Sequence, residues 1–248
     1  TFLTTMIDFE EPGDLGVFID DDQIRSLEQK MSRDGYLDGT DMATTFNMLR
    51  SNDLIWSFVI NNYLMGDEPL AFDLLYWNSD STRMPAKMHS EYLRTMYLEN
   101  RFKDPGGMVL DGVAIDIPSV DTPCYFLSTQ EDHIAPWRST FAGASLLKGP
   151  VRFVLSGSGH IAGVVNPPES NKYGYRTHRR RPKGDADAWF ESATQKEGSW
   201  WPDWQQWVSK FSGTKAKPRK PGTKKAFPVL EEAPGAFAAK RLDEAESG

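Results

Sequence analysis

Two candidate catalytic side chains follow successive apolar stretches of the sequence. Asp132 comes just after TPCYFLST, at residues 122–129, and His160 comes just after VRFVLS, at residues 151–156. In a catalytic triad the imidazole takes a proton from the nucleophile, and the carboxylate holds the tautomer of the imidazole and stabilises its charged form. We therefore expect Asp132 and His160 to act together as an acid and a base beside a nucleophile.

Other interpretations of these residues stay open. Glu131 could supply the carboxylate in place of Asp132, and His133 could serve as the base, although it shares a loop with the acid. Asp132 could also cap the helix expected near Pro136, which would leave His160 as an ordinary loop histidine. The small residues of LSGSGHIAG favour the catalytic interpretation, because they let the backbone turn sharply and leave space for the imidazole ring.

The sequence lacks a nucleophile in the expected place. Cys124 lies within an apolar stretch, where a free cysteine is normally a buried core residue. Ser156 and Ser158 stand beside the histidine, which does not fit the order nucleophile, acid, histidine. No G-x-S-x-G or G-x-C-x-G motif occurs in the 248 residues. We therefore expect this motif to precede Thr1 in a longer natural chain.

The apolar segments predict the elements that position these residues. TPCYFLST and VRFVLS are typical of strands because they are rich in β-branched and aromatic residues, and TFLTTMIDF at the start is a third such segment. Between the two later segments, WRSTFAGASLL places Trp137, Phe141, Ala144 and Leu147 on one helical face. A strand, a helix and a strand in this length predict a parallel sheet with both faces covered.

The remaining segments complete the predicted α/β fold. The helical, aromatic-rich patterns that follow the first strand predict an insertion that caps the carboxyl ends of the strands, where open α/β sheets place their sites. In GSWWPDWQQWVSKF, Trp200, Trp204, Trp207 and Phe211 share one face and predict a terminal helix packed on the body. The sequence thus predicts the C-terminal portion of an α/β-hydrolase fold with a helical cap insertion. The predicted parts are a core strand at 1–9, the mostly helical cap at 10–105, the C-terminal part of the core at 106–212, and an extended or disordered tail at 213–248.

Composition excludes several classes of function. The net charge of −7 argues against nucleic acid as a partner. A single cysteine rules out an internal disulfide, and the four histidines show no spacing typical of a metal site. No apolar run is long enough to span a bilayer. We expect neither a metal nor a cofactor in the chemistry.

Seven blocks of sequence together point to one family. They are LTTMIDF, FNMLRSNDLIWSFVINNYLMG, FDLLYWNSDSTRMP, YLRTMYLEN, EDHIAPW, FVLSGSGHIAGVVNPP and GSWWPDW, in this order. In these blocks the chain resembles the C-terminal part of class I poly(3-hydroxyalkanoate) synthases. Those enzymes polymerise (R)-3-hydroxyacyl groups from coenzyme A thioesters into polyester.

The resemblance implies roles for individual residues. The catalytic acid of the family matches Asp132 and its catalytic histidine matches His160, whereas its nucleophile is a cysteine in a G-x-C-x-G motif that this sequence lacks. Trp77, the tryptophan of FDLLYWN, is interpreted as cap or interface packing. The resemblance therefore implies an acyltransferase of which these 248 residues alone are inactive.

The resemblance also implies partners and a location. The substrates would be (R)-3-hydroxyacyl-CoA and the growing polyester chain, and the enzyme would be a homodimer. It would lie in the cytoplasm at the polyester granule surface, together with granule-associated proteins. The basic run at residues 176–183 departs from the family pattern, and it could attract coenzyme A phosphates or an acidic granule partner, or be a solvated loop.

Two alternatives to the synthase remain at this stage. The first is an esterase, lipase or depolymerase of the same fold, with a serine as the nucleophile. The second is an inactive chain that binds granules or pairs with an intact synthase. A serine nucleophile would identify the hydrolase, whereas a cysteine would identify the synthase. The absence of any nucleophile from the natural protein would identify the inactive chain.

Overall fold

The structure is a computed structural model that describes residues 1–49, 51, 55–69, 83–219, 222 and 227–236. The prediction for Trp77 lies outside these ranges, as do most of FDLLYWNSDSTRMP and part of FNMLRSNDLIWSFVINNYLMG. The chain divides into two compact units, Thr1–Gln206 and Trp207–Gly248. Asp132 and His160 both lie in the first unit. Among the described helices, none is long and apolar enough to cross a bilayer.

A five-stranded sheet runs through the first unit. Its strands lie in the spatial order β1 (Phe2–Leu3), β4 (Cys124–Thr129), β5 (Val151–Ser156), β6 (Tyr175–Thr177) and β7 (Thr194–Lys196). β1, β4 and β5 run parallel, whereas β6 and β7 continue the sheet in antiparallel pairing. A separate hairpin pairs β2 (Val109–Leu110) with β3 (Val113–Ala114). The architecture is therefore mixed α/β.

The two later strands predicted from sequence are confirmed as β4 and β5, and burial explains them. Every residue of β4 is buried, and in β5 only Arg152 is partly exposed. Such continuous burial is typical of strands that are covered on both faces. Phe126 and Phe153 are neighbours in register, and Phe2 stacks on Phe126 with 4.4 Å between ring centroids. One row of aromatic side chains therefore links the three parallel strands.

Two predictions about the sheet are confirmed only in part. The first strand is only Phe2–Leu3, because Thr4 takes a left-handed backbone conformation with φ of 44° and ends the extended segment. Met6 and Ile7 lie in the following loop and are buried there. The sequence of this loop is therefore as apolar as that of a strand. The sheet is also not parallel throughout. The connection 157–174 starts and finishes at the same end of neighbouring strands, as an antiparallel pair requires. A parallel pair would need a crossover to the opposite end.

Helices account for much of the remaining described chain. The α-helices are α1 (Asp21–Asp34), α2 (Gly39–Leu49), α3 (Ala86–Tyr92), α4 (Trp137–Leu146), α5 (Ala162–Val165), α6 (Ala186–Ser192) and α7 (Trp201–Val208). Two π-helical segments, Val59–Leu64 and Leu93–Leu98, lie among them. Short 3-10 turns occur at Gly13–Phe18, Arg101–Lys103, Ile117–Ser119 and Pro168–Ser170. The domain boundaries drawn from the sequence stay predictions.

Local capping explains the bounds of α1, which confirms the helix predicted around IRSLEQKM. The Asp20 carboxylate accepts hydrogen bonds from the N–H groups of Asp22 and Gln23 at 2.9 and 2.8 Å. At the other end, Gly35 takes a left-handed conformation with φ of 81°, which glycine adopts without steric cost. An acidic N-cap and a glycine C-cap thus fix both ends of the helix.

Helix α4 connects β4 to β5 and confirms the predicted strand-helix-strand unit. Phe141, Ala144 and Leu147 are buried, and the ring of Phe141 meets that of Phe153 edge-on at 5.2 Å. Gly143 lies against Ile7, where an added Cβ would come within 2.8 Å of the Ile7 Cβ. The helix therefore packs closely on the sheet and on the loop after β1.

Helix α7 is shorter than the aromatic spacing predicted. It ends at Val208, so Phe211 lies beyond it and is 56% exposed. Trp200 precedes the helix and is almost fully buried, at 1% exposed. The prediction followed aromatic spacing alone and missed Asp203, a buried charged residue in the first turn of the helix.

Asp203 forms a buried ion pair with the sheet. Its carboxylate accepts hydrogen bonds from Nε of Arg152 at 2.7 Å and from the hydroxyl of Tyr125 at 3.1 Å. The hydrogen bond with Asp203 raises the pKa of Arg152, although burial opposes this shift. Lys196 lies farther away, with 3.8 Å between Nζ and the carboxylate. The pair joins α7 to β4 and β5.

We expect Asp203→Asn to lower the free energy of unfolding of the full-length protein by about 3 kcal/mol, because Arg152 loses its anionic partner. Lys196→Gln is the matched control, since Lys196 is 46% exposed and its loss should cost less than about 1 kcal/mol. The measurement is urea unfolding of the three proteins. Equal urea midpoints for Asp203→Asn and the wild type would show that the pair is not stabilising.

Candidate active site

Asp132 lies in a tight turn directly after β4. Its N–H group donates a hydrogen bond to the carbonyl of Thr129 at 3.3 Å. The N–H of Glu131 donates to the carbonyl of Ser158 at 3.0 Å, which ties this turn to the loop after β5. The side chain of Asp132 is fully buried. The two loops therefore meet at the carboxyl ends of neighbouring parallel strands.

The buried carboxylate of Asp132 is fully hydrogen-bonded. One oxygen, Oδ1, accepts the N–H groups of Ile134 and Ala135 at 2.9 and 2.8 Å. The other, Oδ2, accepts the hydroxyl of Thr129 at 3.3 Å and lies 2.8 Å from Nδ1 of His160. Burial on its own raises the pKa of Asp132, but the hydrogen bonds from His160 and Ala135 outweigh it and lower the pKa below its ordinary value.

His160 has the orientation that a general base requires. Because an ionised carboxylate only accepts hydrogen bonds, Nδ1 is the donor to Asp132, and in the neutral form of the ring the lone pair is on Nε2. No described residue forms a hydrogen bond with Nε2. The side chain as a whole is 30% exposed. The arrangement can accept a proton at Nε2 and stabilise the resulting imidazolium through Asp132.

The loop before His160 depends on small residues. Ser158 takes a left-handed conformation with φ of 70°. At Gly157, a Cβ would come within 2.7 Å of the carbonyl oxygen of Tyr173. At Gly163, in α5, a Cβ would come within 2.5 Å of Cγ2 of Thr129. This close packing, which the pattern LSGSGHIAG predicted in general form, brings the histidine loop against the acid loop.

Two tryptophans hold the helix that follows the histidine. The indole N–H of Trp200 donates to the carbonyl of Val164 at 3.0 Å, and that of Trp201 donates to the carbonyl of Val165 at 3.0 Å. These carbonyls belong to α5, which is a single turn long. The sequence predicted Trp200 as a packing residue and assigned no role to Trp201, so neither hydrogen bond was foreseen. Both tryptophans belong to the block GSWWPDW, but no pattern in the neighbouring sequence relates that block to the histidine loop.

The contacts of the candidate residues differ. The carboxylate in contact with an imidazole is that of Asp132, and Glu131 is exposed. The imidazole in that contact belongs to His160, not to His133. Asp132 accepts N–H groups from the turn before α4 rather than from the helix, whose N-cap is Pro136. Asp132 therefore does not cap α4.

None of the nucleophile candidates in the sequence reaches His160. Cys124 begins β4, so it lies about 17 Å from the end where the site forms. Its thiol is buried, and burial raises its pKa, which disfavours a thiolate. Ser156 is buried with an unpaired hydroxyl, and neither Ser156 nor Ser158 forms a hydrogen bond with His160 among the described residues. None of these three side chains is therefore placed to act with His160 as a nucleophile.

The basic run lies at the other end of the sheet. Tyr175 pairs with Ser156 and Thr177 with Val154, so the chain after β6 moves away from His160. Within the run, Arg181 donates hydrogen bonds to the carbonyls of Lys148 at 3.0 Å and Ser145 at 3.2 Å, both near the end of α4. Arg176 lies over the ring of Phe190 at 4.3 Å. At least part of this run therefore stabilises the fold.

Metal binding has no visible basis in the described part of the chain. No group of three or more His, Cys, Asp or Glu side chains there could hold a metal ion. The Asp132 and His160 pair is the constellation on which a chemical role can rest.

The sequence is similar to known polymerases over nearly its whole length. It is 56% identical over 239 residues to the "Poly(3-hydroxyalkanoate) polymerase subunit PhaC" of Rhizobium meliloti, which covers 96% of this chain and 38% of the relative. It is 51% identical over 238 residues to a poly(3-hydroxyalkanoate) polymerase of Methylorubrum extorquens, covering 96% of this chain and 39% of that protein. It is 41% identical over 243 residues to the subunit PhaC of Cupriavidus necator, covering 96% of this chain and 41% of that protein.

These comparisons confirm the resemblance found in the seven sequence blocks. The chain is homologous to part of the poly(3-hydroxyalkanoate) polymerases, and it spans about two fifths of the length of these relatives. No protein-family model matches the chain.

We expect Asp132→Asn to destabilise the full-length protein at neutral pH and to match the wild type more closely in acid. The lowered pKa means that the charged carboxylate stabilises the fold above about pH 4, the unfolded value. This stability is lost as the pH falls through the lowered pKa. Urea unfolding at a series of pH values measures the difference.

The exposed neighbour Glu131 provides the matched control. Glu131→Gln should leave the free energy of unfolding within about 0.5 kcal/mol of the wild type at pH 7. If the difference in free energy of unfolding between Asp132→Asn and the wild type stays constant below pH 4, the proposed charge state of Asp132 is contradicted.

Proposed function

We propose that this chain is the carboxy-terminal portion of a poly(3-hydroxyalkanoate) polymerase and supplies the acid and the base of its active site. The observation that carries the proposal is the 2.8 Å contact between the buried Asp132 carboxylate and Nδ1 of His160 at the ends of adjacent parallel strands. The similarity to polymerases over 96% of the chain supports it. The reaction would transfer (R)-3-hydroxyacyl groups from coenzyme A to a growing polyester.

The fold that we propose for the whole enzyme is an α/β-hydrolase with a helical cap. Its support is the position of the acid and the histidine after successive parallel strands, in the chain order of that fold. The chain before α1 packs on the acid loop and on the first turn of α4. The hydroxyl of Ser139 donates to the carbonyl of Glu11 at 2.6 Å, and a Cβ at Gly13 would come within 2.8 Å of the His133 carbonyl oxygen. The helical region would thus cover the carboxyl ends of the strands.

The nucleophile in this mechanism is a cysteine outside these residues. Nε2 of His160 takes the thiol proton, and the thiolate attacks the thioester carbonyl of the substrate. The bond to the coenzyme A sulfur then breaks, and the imidazolium returns the proton to that sulfur. An acyl-cysteine remains on the enzyme. The reaction needs no metal and no cofactor beyond the thioester itself.

Chain growth repeats the same proton transfers. The 3-hydroxyl of an acyl unit attacks the acyl-cysteine, a base takes its proton, and the cysteine sulfur leaves and is reprotonated. Asp132 could act by holding His160 in its tautomer, or by assisting removal of the hydroxyl proton. The contact between Oδ2 and Nδ1 supports the first role, because the carboxylate lies on the side of the ring away from Nε2.

The partners follow from the proposed reaction. The enzyme would act as a homodimer at the surface of polyester granules in the cytoplasm, beside granule-associated proteins. Support comes from a run of large exposed apolar side chains near the second helix. Its members are Ile55, Trp56, Phe58, Ile60, Tyr63, Leu64 and Met65, each between 39% and 88% exposed. Such a patch is suited to an apolar polymer or a second subunit.

We expect Asp132→Asn in the full-length enzyme to lower kcat for coenzyme A release by about 10²–10⁴-fold, because the imidazole loses the group that holds its tautomer. Thiol release from (R)-3-hydroxybutyryl-CoA measures the rate. Glu131→Gln is the matched control and should keep wild-type turnover. Wild-type turnover by Asp132→Asn would exclude both roles considered for the carboxylate.

The basic run gives a separate prediction. Because the chain at residues 179–180 leads away from His160, Arg179→Ala/Arg180→Ala should leave KM for the thioester unchanged. Arg181→Ala should instead lower the urea midpoint, since its two hydrogen bonds to α4 carbonyls are lost. A tenfold rise in KM for the double variant would favour coenzyme A binding by the run.

A further inference from the structure

Helix α5 has little stability of its own, because it is a single turn long. Helices this short are marginal without tertiary contacts, and the last carbonyls of a helix have no partner within it. Here the carbonyls of Val164 and Val165 each accept an indole N–H group at 3.0 Å. The donors are Trp200 and Trp201. The helix therefore depends on side chains from the start of α7.

Helix α5 in turn holds the backbone on both sides of His160. The N–H group of Gly163 donates to the carbonyl of Gly159 at 2.9 Å. The N–H group of Val165 donates to the carbonyl of Ile161 at 2.9 Å. These two carbonyls belong to the residues that flank the histidine. A shift of α5 would therefore move the backbone from which the imidazole projects.

The acid of the pair is fixed independently of α5. Oδ1 of Asp132 accepts the N–H groups of Ile134 and Ala135, which belong to its own loop. Among the described residues, the ring of His160 has one hydrogen-bond partner, Oδ2 of Asp132 at 2.8 Å. The direction of Nε2 thus depends on this bond and on the backbone that α5 holds. A misplacement of about 1 Å in an active site can lower the rate about 10²-fold.

The two tryptophans are themselves attached to the strand that carries the acid. Trp200 is 1% exposed, and its ring stacks on that of Trp201 with 4.5 Å between centroids. The ring of Tyr125, in β4, lies 6.4 Å from that of Trp200. The hydroxyl of Tyr125 also donates to Asp203 in the first turn of α7. Strand β4 therefore supports both the acid loop and the indoles that hold the histidine loop.

We propose that Trp200 and Trp201 are positioning residues for His160. Their indole N–H groups hold α5, and α5 holds the histidine backbone so that Nε2 points to the proton that it must accept. The two side chains act through α5 and not through contact with the substrate. This inference rests on the proposed function, because it concerns the base of that reaction.

Trp204 provides a matched control on the same helix. Its indole N–H donates to Oγ1 of Thr1 at 3.0 Å and not to α5, and its ring meets that of Trp201 edge-on at 5.7 Å. Replacing either tryptophan with phenylalanine removes one N–H group and keeps an aromatic ring. Trp201 is 37% exposed, so Trp201→Phe leaves the buried core unchanged. The two variants lose the same group from bonds that do and do not lead to His160.

The first measurement is release of coenzyme A from (R)-3-hydroxybutyryl-CoA by the full-length enzyme. We expect Trp201→Phe to lower kcat about tenfold, and Trp200→Phe/Trp201→Phe about 10²-fold, with KM unchanged in both. KM should stay constant because the lost N–H groups bind α5 carbonyls and not the substrate. Trp204→Phe should keep kcat within about twofold of the wild type.

A second measurement reports on the base without any substrate. A well-placed imidazole raises the thiolate fraction of its partner cysteine, and the thiolate is the form that iodoacetamide alkylates. We expect the alkylation rate of the catalytic cysteine, followed by peptide mass, to fall in Trp201→Phe and not in Trp204→Phe. A purely structural role would lower the urea midpoint but leave kcat and the alkylation rate of the folded enzyme unchanged.

Urea midpoints establish which variants fold, and Trp200→Phe alone carries the same prediction if Trp201→Phe does not. Wild-type kcat and alkylation rate in the folded variant, or an equal loss in Trp204→Phe, overturns the inference.

The wild-type enzyme tests the proposed function separately. If it releases coenzyme A and all variants match it, the function stands and the positioning role is removed. If it releases no coenzyme A from any hydroxyacyl thioester, the function itself is removed.

Discussion

The buried carboxylate of Asp132 imposes a constraint that shapes the surrounding structure. A negative charge without solvent is costly unless hydrogen bonds surround it. Here two backbone N–H groups, one hydroxyl and one imidazole meet that requirement. Each donor comes from a different position along the turn or from the neighbouring strand's loop. The strands must therefore end in register and the loops must pack closely, which glycines at 157 and 163 permit.

Much of this arrangement was predictable because it is encoded locally. Continuous apolar segments predicted β4 and β5, and helical spacing predicted α4 between them. Once those strands are parallel neighbours, residues that follow their carboxyl ends must lie close together. The pairing of Asp132 with His160 follows from that topology. The prediction of two strands and one helix was enough to place both side chains.

Other features depend on contacts between distant residues and left no local pattern. The direction of β6 is set by the connection 157–174, which turns back at the same end of the strands. The sequence of this connection resembles that of an ordinary loop. Thr4 ends the first strand through a backbone angle that its residue type does not predict. No local pattern indicated that Asp203 is buried and paired, because its partner Arg152 is 51 positions away.

The hydrogen bonds from Trp200 and Trp201 to α5 have a consequence for the order in which the protein is made. A ribosome synthesises the loop of His160 well before the segment that carries these tryptophans, 36 positions after the carbonyls they bind. Until that segment emerges, the single turn of α5 lacks the donors that anchor it. The helix after His160 therefore gains these two hydrogen bonds only once the later segment has been synthesised.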